Sequence, residues 1–490
     1  MSGYYLMRFY SVIFSASLFL CAAETTHAAP WAEPGDTQLR SDIEVLASAG
    51  LVDGITTQWP LPWASIEARV ADTPGVESET LRSAMRRVRA AAASAARGTD
   101  GLVSGFSAGA TNLPGVVRGF DALGRQKLQA QATLQYATFS TFVQLAVGSQ
   151  SHGTGDRQTF VLDNSYVAQK IGGAIVYAGY LPHWWGPGWI SALSLSNNAR
   201  PMPQIGIARA STTPFESPWL SWIGPWQAEF MVGVLDGPRI SANTLYSGLR
   251  ITVNPLPGLE MGMARTQMFC GESHTCKPIA GYFNLSNDPA VTNYVNDEGV
   301  FDLRYTDVAL GLPFSIYTQM MNEDSNPVTH SGTSHLFGAT TWFAIANGTI
   351  RLTLEYTDTI PTVNIFSFGS VFHGFSYNNY DYHDGMRYRG KTLGSSLDSD
   401  SRMASLQTAY VTASDWTYSL AYHNARISTP QNPGGNIVTT APVTINLAEA
   451  RLKMPFEQFS LEIAGRLQDD QPHPRRGFAA AAEISASYRF

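Results

Sequence analysis

The densest aromatic stretch of the chain runs from Leu181 to Trp189 and has the sequence LPHWWGPGW. It contains His183, Trp184, Trp185 and Trp189. An indole presents a large apolar face that can stack on the C–H face of a pyranose ring, which makes the stretch a candidate glycan-binding site. The alternative is that the same rings fix the fold, as an interfacial aromatic girdle or as part of a plug.

A second candidate lies in the long polar segment from Phe372 to Asp400. It combines aromatic faces with groups of both charges: Tyr377, Tyr380, Asp381, Tyr382, His383, Asp384, Arg387, Tyr388 and Arg389. Such a set offers stacking faces and charged hydrogen-bonding groups, which suits an acidic or a neutral glycan. Two alternatives stay open. The segment can fold into a lumen as a plug, or its polar residues can do chemistry: Asp381, His383 and Asp384 can ligate a metal, or His383 can act as a general base.

No pattern for catalysis accompanies these candidates. The other polar residues considered are scattered: Asp302, Glu323, Asp324, Glu355 and His423. A hydrolase needs a nucleophile, a base and an orienting group within hydrogen-bond reach. The sequence contains neither a Ser-His motif nor a spaced set of metal ligands. We therefore expect no enzyme activity, no cofactor and no metal site.

The first residues, 1–28, have the features of a secretory signal. Arg8 supplies the positive charge, Phe9 to Ala23 the apolar core, and the sequence THA at 26–28 a small-residue cleavage site. Lipidation at Cys21 is the weaker alternative, because bulky residues precede it. We expect cleavage after residue 28 and export from the cytoplasm.

Two cysteines, Cys270 and Cys276, follow this leader and stand close together in CGESHTC. In an oxidising compartment, their spacing predicts a disulfide that closes one loop. A metal site that adds His274 is the alternative.

From Gly101 onward, apolar and polar residues alternate with the period of a β-strand. Clear examples are 127–136, 351–357 and 416–423, each with one apolar and one polar face. Short turns alternate with long polar loops, which fall at 182–203, 269–297, 322–334, 359–400, 427–442 and 468–477. One strand on each side of every connection gives an all-β transmembrane barrel of about 18 antiparallel strands, spanning 100–490.

The last strand of this barrel is predicted at Ala479 to Phe490, where alternate residues are apolar and the chain ends on an aromatic residue. We expect it to pair with the strand that begins near Gly101 and so to close the barrel. We also expect Phe490 to be read by the barrel-assembly machinery.

The composition fits a barrel. Only 14% of the residues are charged although 44% are hydrophobic, and no stretch after the leader approaches the roughly 20 apolar residues of a membrane helix. The formal charge of −7 argues against nucleic acid as a partner.

Residues 29–99 differ from the rest by their helical period. Helices are predicted at Thr37 to Ala49, which has apolar residues on one face, at Trp63 to Val70, and at Glu77 to Arg97, which is rich in alanine and arginine. We expect a small helical unit in the periplasm, on the side where an even number of strands places both barrel ends.

Five segments together resemble the Wzi family of capsule-assembly outer-membrane barrels. They are 39–61, 181–204 with its WWGPG motif, 217–227 with IGPWQ, 318–326 and 375–394. The cysteine pair departs from that pattern. The resemblance implies an 18-stranded barrel with a periplasmic helical unit, and a lectin-like role that holds capsular or other exported polysaccharide at the cell surface.

We therefore expect a monomer in the outer membrane, surrounded by lipid, that binds polysaccharide by stacking and hydrogen bonds. Polysaccharide export machinery is a possible further partner. The alternative function is a porin-like diffusion channel for a small solute, and occlusion of the lumen separates the two.

Overall fold

The structure is a computed structural model. It describes residues 29–72, 78–96, 101–121, 124–138, 140–153, 155–274, 276, 295–323, 332–363, 371–432 and 435–490. The predicted leader lies outside these residues, as does Asp324.

Eighteen antiparallel strands close into a barrel in sequence order. The strands are β1 Val103–Thr111, β2 Leu128–Ala137, β3 Thr141–Gln150, β4 Tyr166–Ile171, β5 Ala174–Gly179, β6 Gln204–Arg209, β7 Trp226–Leu235, β8 Thr244–Leu256, β9 Leu259–Phe269, β10 Val295–Ala309, β11 Leu312–Glu323, β12 Thr333–Ile345, β13 Gly348–Thr362, β14 Arg402–Thr412, β15 Thr417–Ile427, β16 Val443–Pro455, β17 Phe459–Gln468 and β18 Ala479–Arg489. A two-residue piece, Phe160–Val161, also pairs with β3. The predicted fold class and strand number are confirmed.

The wall of the barrel carries its apolar side chains on the outside. In β15, Tyr418, Leu420 and Tyr422 are exposed, whereas His423 is buried in the lumen and contacts Ser405 Oγ at 2.8 Å. The same alternation runs through β2 and β3. A soluble β-protein would bury the apolar set, so this inverted pattern marks a lipid-facing wall.

The closing strand is β18, as predicted. Its residues pair with β1 from Glu483 opposite Thr111 to Arg489 opposite Gly105. The N–H of Phe490 continues the ladder by donating to Ser104 O at 2.9 Å.

The connections differ in length at the two ends of the barrel. Both chain ends of the barrel lie at one end, the turn end. There, Gly172–Gly173 alone joins β4 to β5, and Leu310–Gly311 alone joins β10 to β11. The link between β8 and β9 is equally short, 257–258, because β8 continues to Leu256 through a register shift after Val253. Long connections gather at the opposite end, the loop end.

One connection at the turn end, 210–225, is long and was not predicted as a loop. Thr212 in this connection contacts the helical unit. The Thr212 hydroxyl donates to Asp53 Oδ2 at 2.7 Å, and its N–H donates to Ser65 Oγ at 2.7 Å.

Three helices lie at the turn end, close to the predicted positions. They are α1 Thr37–Ser48, α2 Trp63–Asp72 and α3 Glu79–Ala96. The carboxylate of Asp36 caps α1 by accepting from the N–H groups of Gln38 and Leu39, which would otherwise lack partners. None of the described helices has the length and apolar character to cross a membrane.

The segment between α1 and α2 enters the lumen. Within it, Gln58–Trp59 forms a two-stranded ladder with Trp184–Trp185, and Leu61–Pro62 pairs with Trp31–Ala32. Trp59 also packs against Phe120, with ring centroids 5.0 Å apart. The helical unit therefore shares a core with the barrel contents, a contact that the sequence pattern did not indicate.

Candidate functional site

The aromatic stretch of 181–189 lies inside the lumen, enclosed by protein. Trp184 and Trp185 are both 0% exposed. Trp184 Nε1 donates to Gly188 O at 3.0 Å, and Trp185 O accepts from Gln319 Nε2 on β11 at 2.9 Å. These bonds attach the stretch to itself and to the wall.

Trp189 and His183 are fixed by charged groups. Two guanidinium groups lie over the Trp189 ring, those of Arg40 at 4.4 Å and Arg351 at 4.8 Å from its centroid, a favourable contact with the ring face. His183 Nε2 contacts Glu229 Oε1 at 2.8 Å. Since these four rings are buried and present no open face to a sugar, they fit the fold-fixing alternative.

The carboxylate of Glu355 on β13 holds the backbone that follows. It accepts from the N–H groups of Trp189 at 2.7 Å and Ser191 at 2.6 Å. Glu323 on β11 accepts from the N–H of Tyr377 at 2.5 Å in the same manner. In the sequence both acids are only scattered polar residues, whereas in the structure they are anchors for buried backbone donors.

The segment 371–401 also folds into the lumen, and we call it the plug. Three of the candidate residues make contacts there that stabilise the fold. Tyr377 is buried, and its hydroxyl donates to Leu193 O at 2.7 Å. The Tyr382 hydroxyl donates to Cys270 O at 3.0 Å. Arg387 forms a two-fold pair with Asp398, with both N–O distances at 2.9 Å.

The cysteine loop supports this plug from the side. Cys270 and Cys276 are joined in a disulfide, and His274 between them stacks on the Tyr382 ring at 4.2 Å. The loop therefore braces the plug beneath its outer surface.

Four candidate residues form the outer surface of the plug at the loop end. Tyr380 is 89% exposed, Asp381 and His383 are exposed, and Asp384 is half-buried. The rings of Tyr380 and His383 meet edge to face with centroids 6.5 Å apart. Asp384 accepts from the N–H of Ile240 at 2.6 Å, which ties the surface to the neighbouring loop.

The described part of the chain holds no group of three or more His, Cys, Asp and Glu side chains arranged to bind a metal ion. The geometry of the exposed surface suits recognition by an aromatic face and hydrogen-bonding groups.

A buried ionic cluster at the turn end was missed from the sequence. The carboxylate of Glu44 in α1 contacts Arg40 at 3.0 Å, Arg304 on β10 at 2.9 Å and Arg351 on β13 at 3.0 Å. Arg40 also donates to the carbonyls of Pro187 and Gly188. The available signal was the placement of two arginines at inward strand positions, which require a buried acid as partner.

Taken together, the lipid-facing wall and the filled lumen define an outer-membrane β-barrel plugged by its own chain. The sequence profile of the capsule assembly protein Wzi matches residues 103–468. The chain belongs to this family, and the resemblance inferred from its motifs is confirmed. Its location is the outer membrane.

Two relatives extend the comparison. A Klebsiella pneumoniae protein, described as an uncharacterized protein in the cps region, is 27% identical over 316 residues, which are 62% of this chain and 60% of that protein. Wzi of Escherichia coli shares the fold with a TM-score of 0.82 at 20% identity, covering 94% of this chain and 99% of its own. That protein is described as an outer-membrane, carbohydrate-binding β-barrel involved in group 1 capsule assembly.

Proposed function

We propose that this barrel binds capsular or other exported polysaccharide at the cell surface and holds it there without a covalent step. The exposed surface of Tyr380, Asp381 and His383 on a plug anchored to the wall carries the proposal. A stacking face and hydrogen-bonding groups on a rigid support lose little conformational entropy when a sugar chain binds. The carbohydrate-binding relative from Escherichia coli supports the same class of ligand.

The orientation of the barrel in the membrane follows from the even number of strands and from the lengths of the connections. Both barrel ends lie at the turn end with the helices, and outer-membrane barrels place short turns in the periplasm and long loops outside. The plug surface therefore faces the exterior, where exported polysaccharide lies, and the helical unit faces the periplasm.

Replacing Tyr380 and His383 together with alanine should release polysaccharide from the cell. Losing one aromatic contact costs about 1 kcal/mol, or about fivefold in affinity, and the double change removes two ring faces. The measurement is the ratio of cell-attached to shed polysaccharide, at equal barrel abundance in the outer membrane.

The matched control is Tyr418→Ala, which removes an exposed tyrosine from the lipid-facing wall. It should leave retention unchanged. If the double variant retains as much polysaccharide as the parent, the assignment of this surface is wrong.

The alternative function, a diffusion channel, needs an open lumen. Two layers oppose it: the Gln58–Trp59 ladder with Trp184–Trp185, and the contact of Tyr377 with Leu193. We expect the purified full chain in planar bilayers to show almost no steady conductance. A stable open-channel current in the parent protein would favour the channel and count against the proposal.

A further inference from the structure

A row of four polar residues crosses the outside of the wall near the loop end. Backbone pairing places Asp358 of β13 opposite Arg402 of β14, Arg402 opposite Arg426 of β15, and Arg426 opposite Thr444 of β16. We call these four residues the rim row. Directly opposite residues point to the same face of a sheet, and Ala425, which precedes Arg426, is buried on the lumen side. The rim row therefore faces outward.

The rim row lies just beyond the apolar band of the wall. Two positions nearer the turn end, Tyr356 of β13 pairs with Phe337 of β12, and both rings are exposed. Two positions further, Leu354, Leu406 and Tyr422 lie opposite one another and are also exposed. In outer-membrane barrels, an aromatic girdle marks the level at which the apolar band gives way to lipid headgroups. The rim row therefore lies at headgroup depth on the outer side.

The two arginines of the rim row differ in their partners. Arg402 Nε donates to Asp358 Oδ2 at 2.9 Å. The guanidinium of Arg426 is exposed, and none of the residues that the structure describes forms a hydrogen bond or an ion pair with it. The Cβ atoms of directly opposite residues lie about 4.5–5.5 Å apart, and like charges in such a pair repel each other. Since the rim row supplies one acid for two guanidinium groups, an anion from outside the chain would offset this repulsion.

The depth and the outward direction of the rim row indicate the source of that anion. A planar guanidinium binds phosphate oxygens through two parallel N–H donors, and a basic side chain at headgroup depth is attracted to anionic lipid. The plug surface around Tyr380 faces the exterior, whereas the rim row adjoins the lipid that surrounds the wall.

We propose that Arg426, with Arg402 beside it, binds the phosphate group of a lipid in the outer leaflet of the membrane. This contact holds the wall at a set depth in the membrane. It goes beyond the proposed function and does not rest on it, because no polysaccharide takes part.

The probe for this site is lipid A, a phosphorylated glycolipid of outer membranes that carries no polysaccharide chain. The full chain in micelles of an uncharged detergent is titrated with lipid A and, separately, with lipid A whose phosphate groups have been removed. Native mass spectrometry gives the fraction of barrels that hold the lipid. We expect the parent to bind the phosphorylated form about fivefold more tightly, which is the effect of one basic contact at the membrane surface. Arg426→Gln should bind both forms about equally.

Asp358→Asn should change the preference in the opposite direction. Removing the acid frees the guanidinium of Arg402 for a phosphate oxygen, so the preference for the phosphorylated lipid should grow by about a further fivefold. A variant that merely loosened the wall would lose lipid, so this gain separates recognition of phosphate from loss of structure. A smaller preference in Asp358→Asn than in the parent overturns the proposal.

Two controls locate the contact. Arg82→Gln makes the same substitution at an exposed arginine of α3, at the opposite end of the barrel, and should preserve the fivefold preference. Arg426→Lys keeps the charge and should preserve most of it, because the charge remains while the two-donor geometry is lost.

The remaining outcomes are distinguishable. Equal binding of the two lipid forms by the parent overturns the lipid site and leaves the proposed function standing. A preference that survives in Arg426→Gln overturns the assignment to this residue. If inorganic phosphate at millimolar concentration abolishes the preference, the rim row takes a soluble anion and the lipid proposal is wrong.

Discussion

Replacing Glu44 with alanine should release the helical unit from the barrel. The carboxylate is the common partner of Arg40, Arg304 and Arg351, and all four side chains are buried. Removing one member of a buried ionic group leaves the others uncompensated, which costs about 3–5 kcal/mol. Since Arg304 and Arg351 belong to the wall, the loss falls on the junction between α1 and the barrel.

Two measurements check this expectation. The tryptophan fluorescence of the detergent-solubilised protein should report an early thermal transition as Trp59, Trp184 and Trp189 become hydrated. Conductance in planar bilayers should rise above that of the parent, because the ladder of Gln58–Trp59 with Trp184–Trp185, which fills the lumen, is loosened.

The matched control is Glu79→Ala in α3. Glu79 pairs with Arg82 on an exposed helix face, and such surface pairs contribute about 0–1 kcal/mol. If Glu44→Ala melts and conducts like the parent, the cluster does not hold the unit in place.

Deleting Phe490 should remove most of the protein from the outer membrane. This residue is 73% exposed, adds the last ladder bond to β1 and packs its ring edge to face against Tyr488 with centroids 4.7 Å apart. A terminal aromatic side chain that is ordered but uncovered is available to the barrel-assembly machinery, the partner proposed for it. The measurement is the abundance of the folded barrel in outer-membrane fractions.

Phe478→Ala provides the control for this deletion. Phe478 is 69% exposed and precedes the opposite end of β18, so the change removes a phenyl ring of similar exposure beside the same strand. It should leave assembly intact. Polysaccharide binding by the few Phe490-deleted barrels that insert should equal that of the parent, and normal assembly without Phe490 would refute its proposed role.

The wall of the barrel was predictable from sequence because the alternation of apolar and polar residues within each strand is a local signal. The alternation in segments such as 127–136 and 416–423 depends only on a lipid outside and a polar lumen inside. The pairing of β18 with β1 followed from closure, since an open edge has no partner in a membrane. The helices were equally local, with a cap at Asp36 and an apolar face in α1.

The contents of the lumen were not predictable in the same way. Glu44 meets Arg304 across 260 residues of chain, and no local period encodes such a contact. For the same reason the entry of 51–62 into the barrel was missed. The tryptophans of 184–189 look alike in sequence whether they bind a sugar or fill a cavity, and only their burial distinguishes the two.

The sequence predicted the candidate residues of 372–400 as one site, and the structure separates them into an outward-facing group and a buried group. Tyr380, Asp381 and His383 face outward, while Tyr377, Tyr382 and Arg387 point into the plug. A sequence of mixed aromatic and charged residues cannot assign these directions, because irregular backbone has no fixed period.

The ladder between Gln58–Trp59 and Trp184–Trp185 sets an order of events during biogenesis. Its two halves leave the ribosome well before β18 is synthesised, yet the wall around them closes only when β18 meets β1. The pairing of β18 with β1 therefore closes the wall around a lumen filling that has already been synthesised. Until that pairing forms in the periplasm, Trp59, Trp184 and Trp185 must be kept away from water or from other chains. We therefore expect the protein to depend on chaperones until β18 has paired with β1.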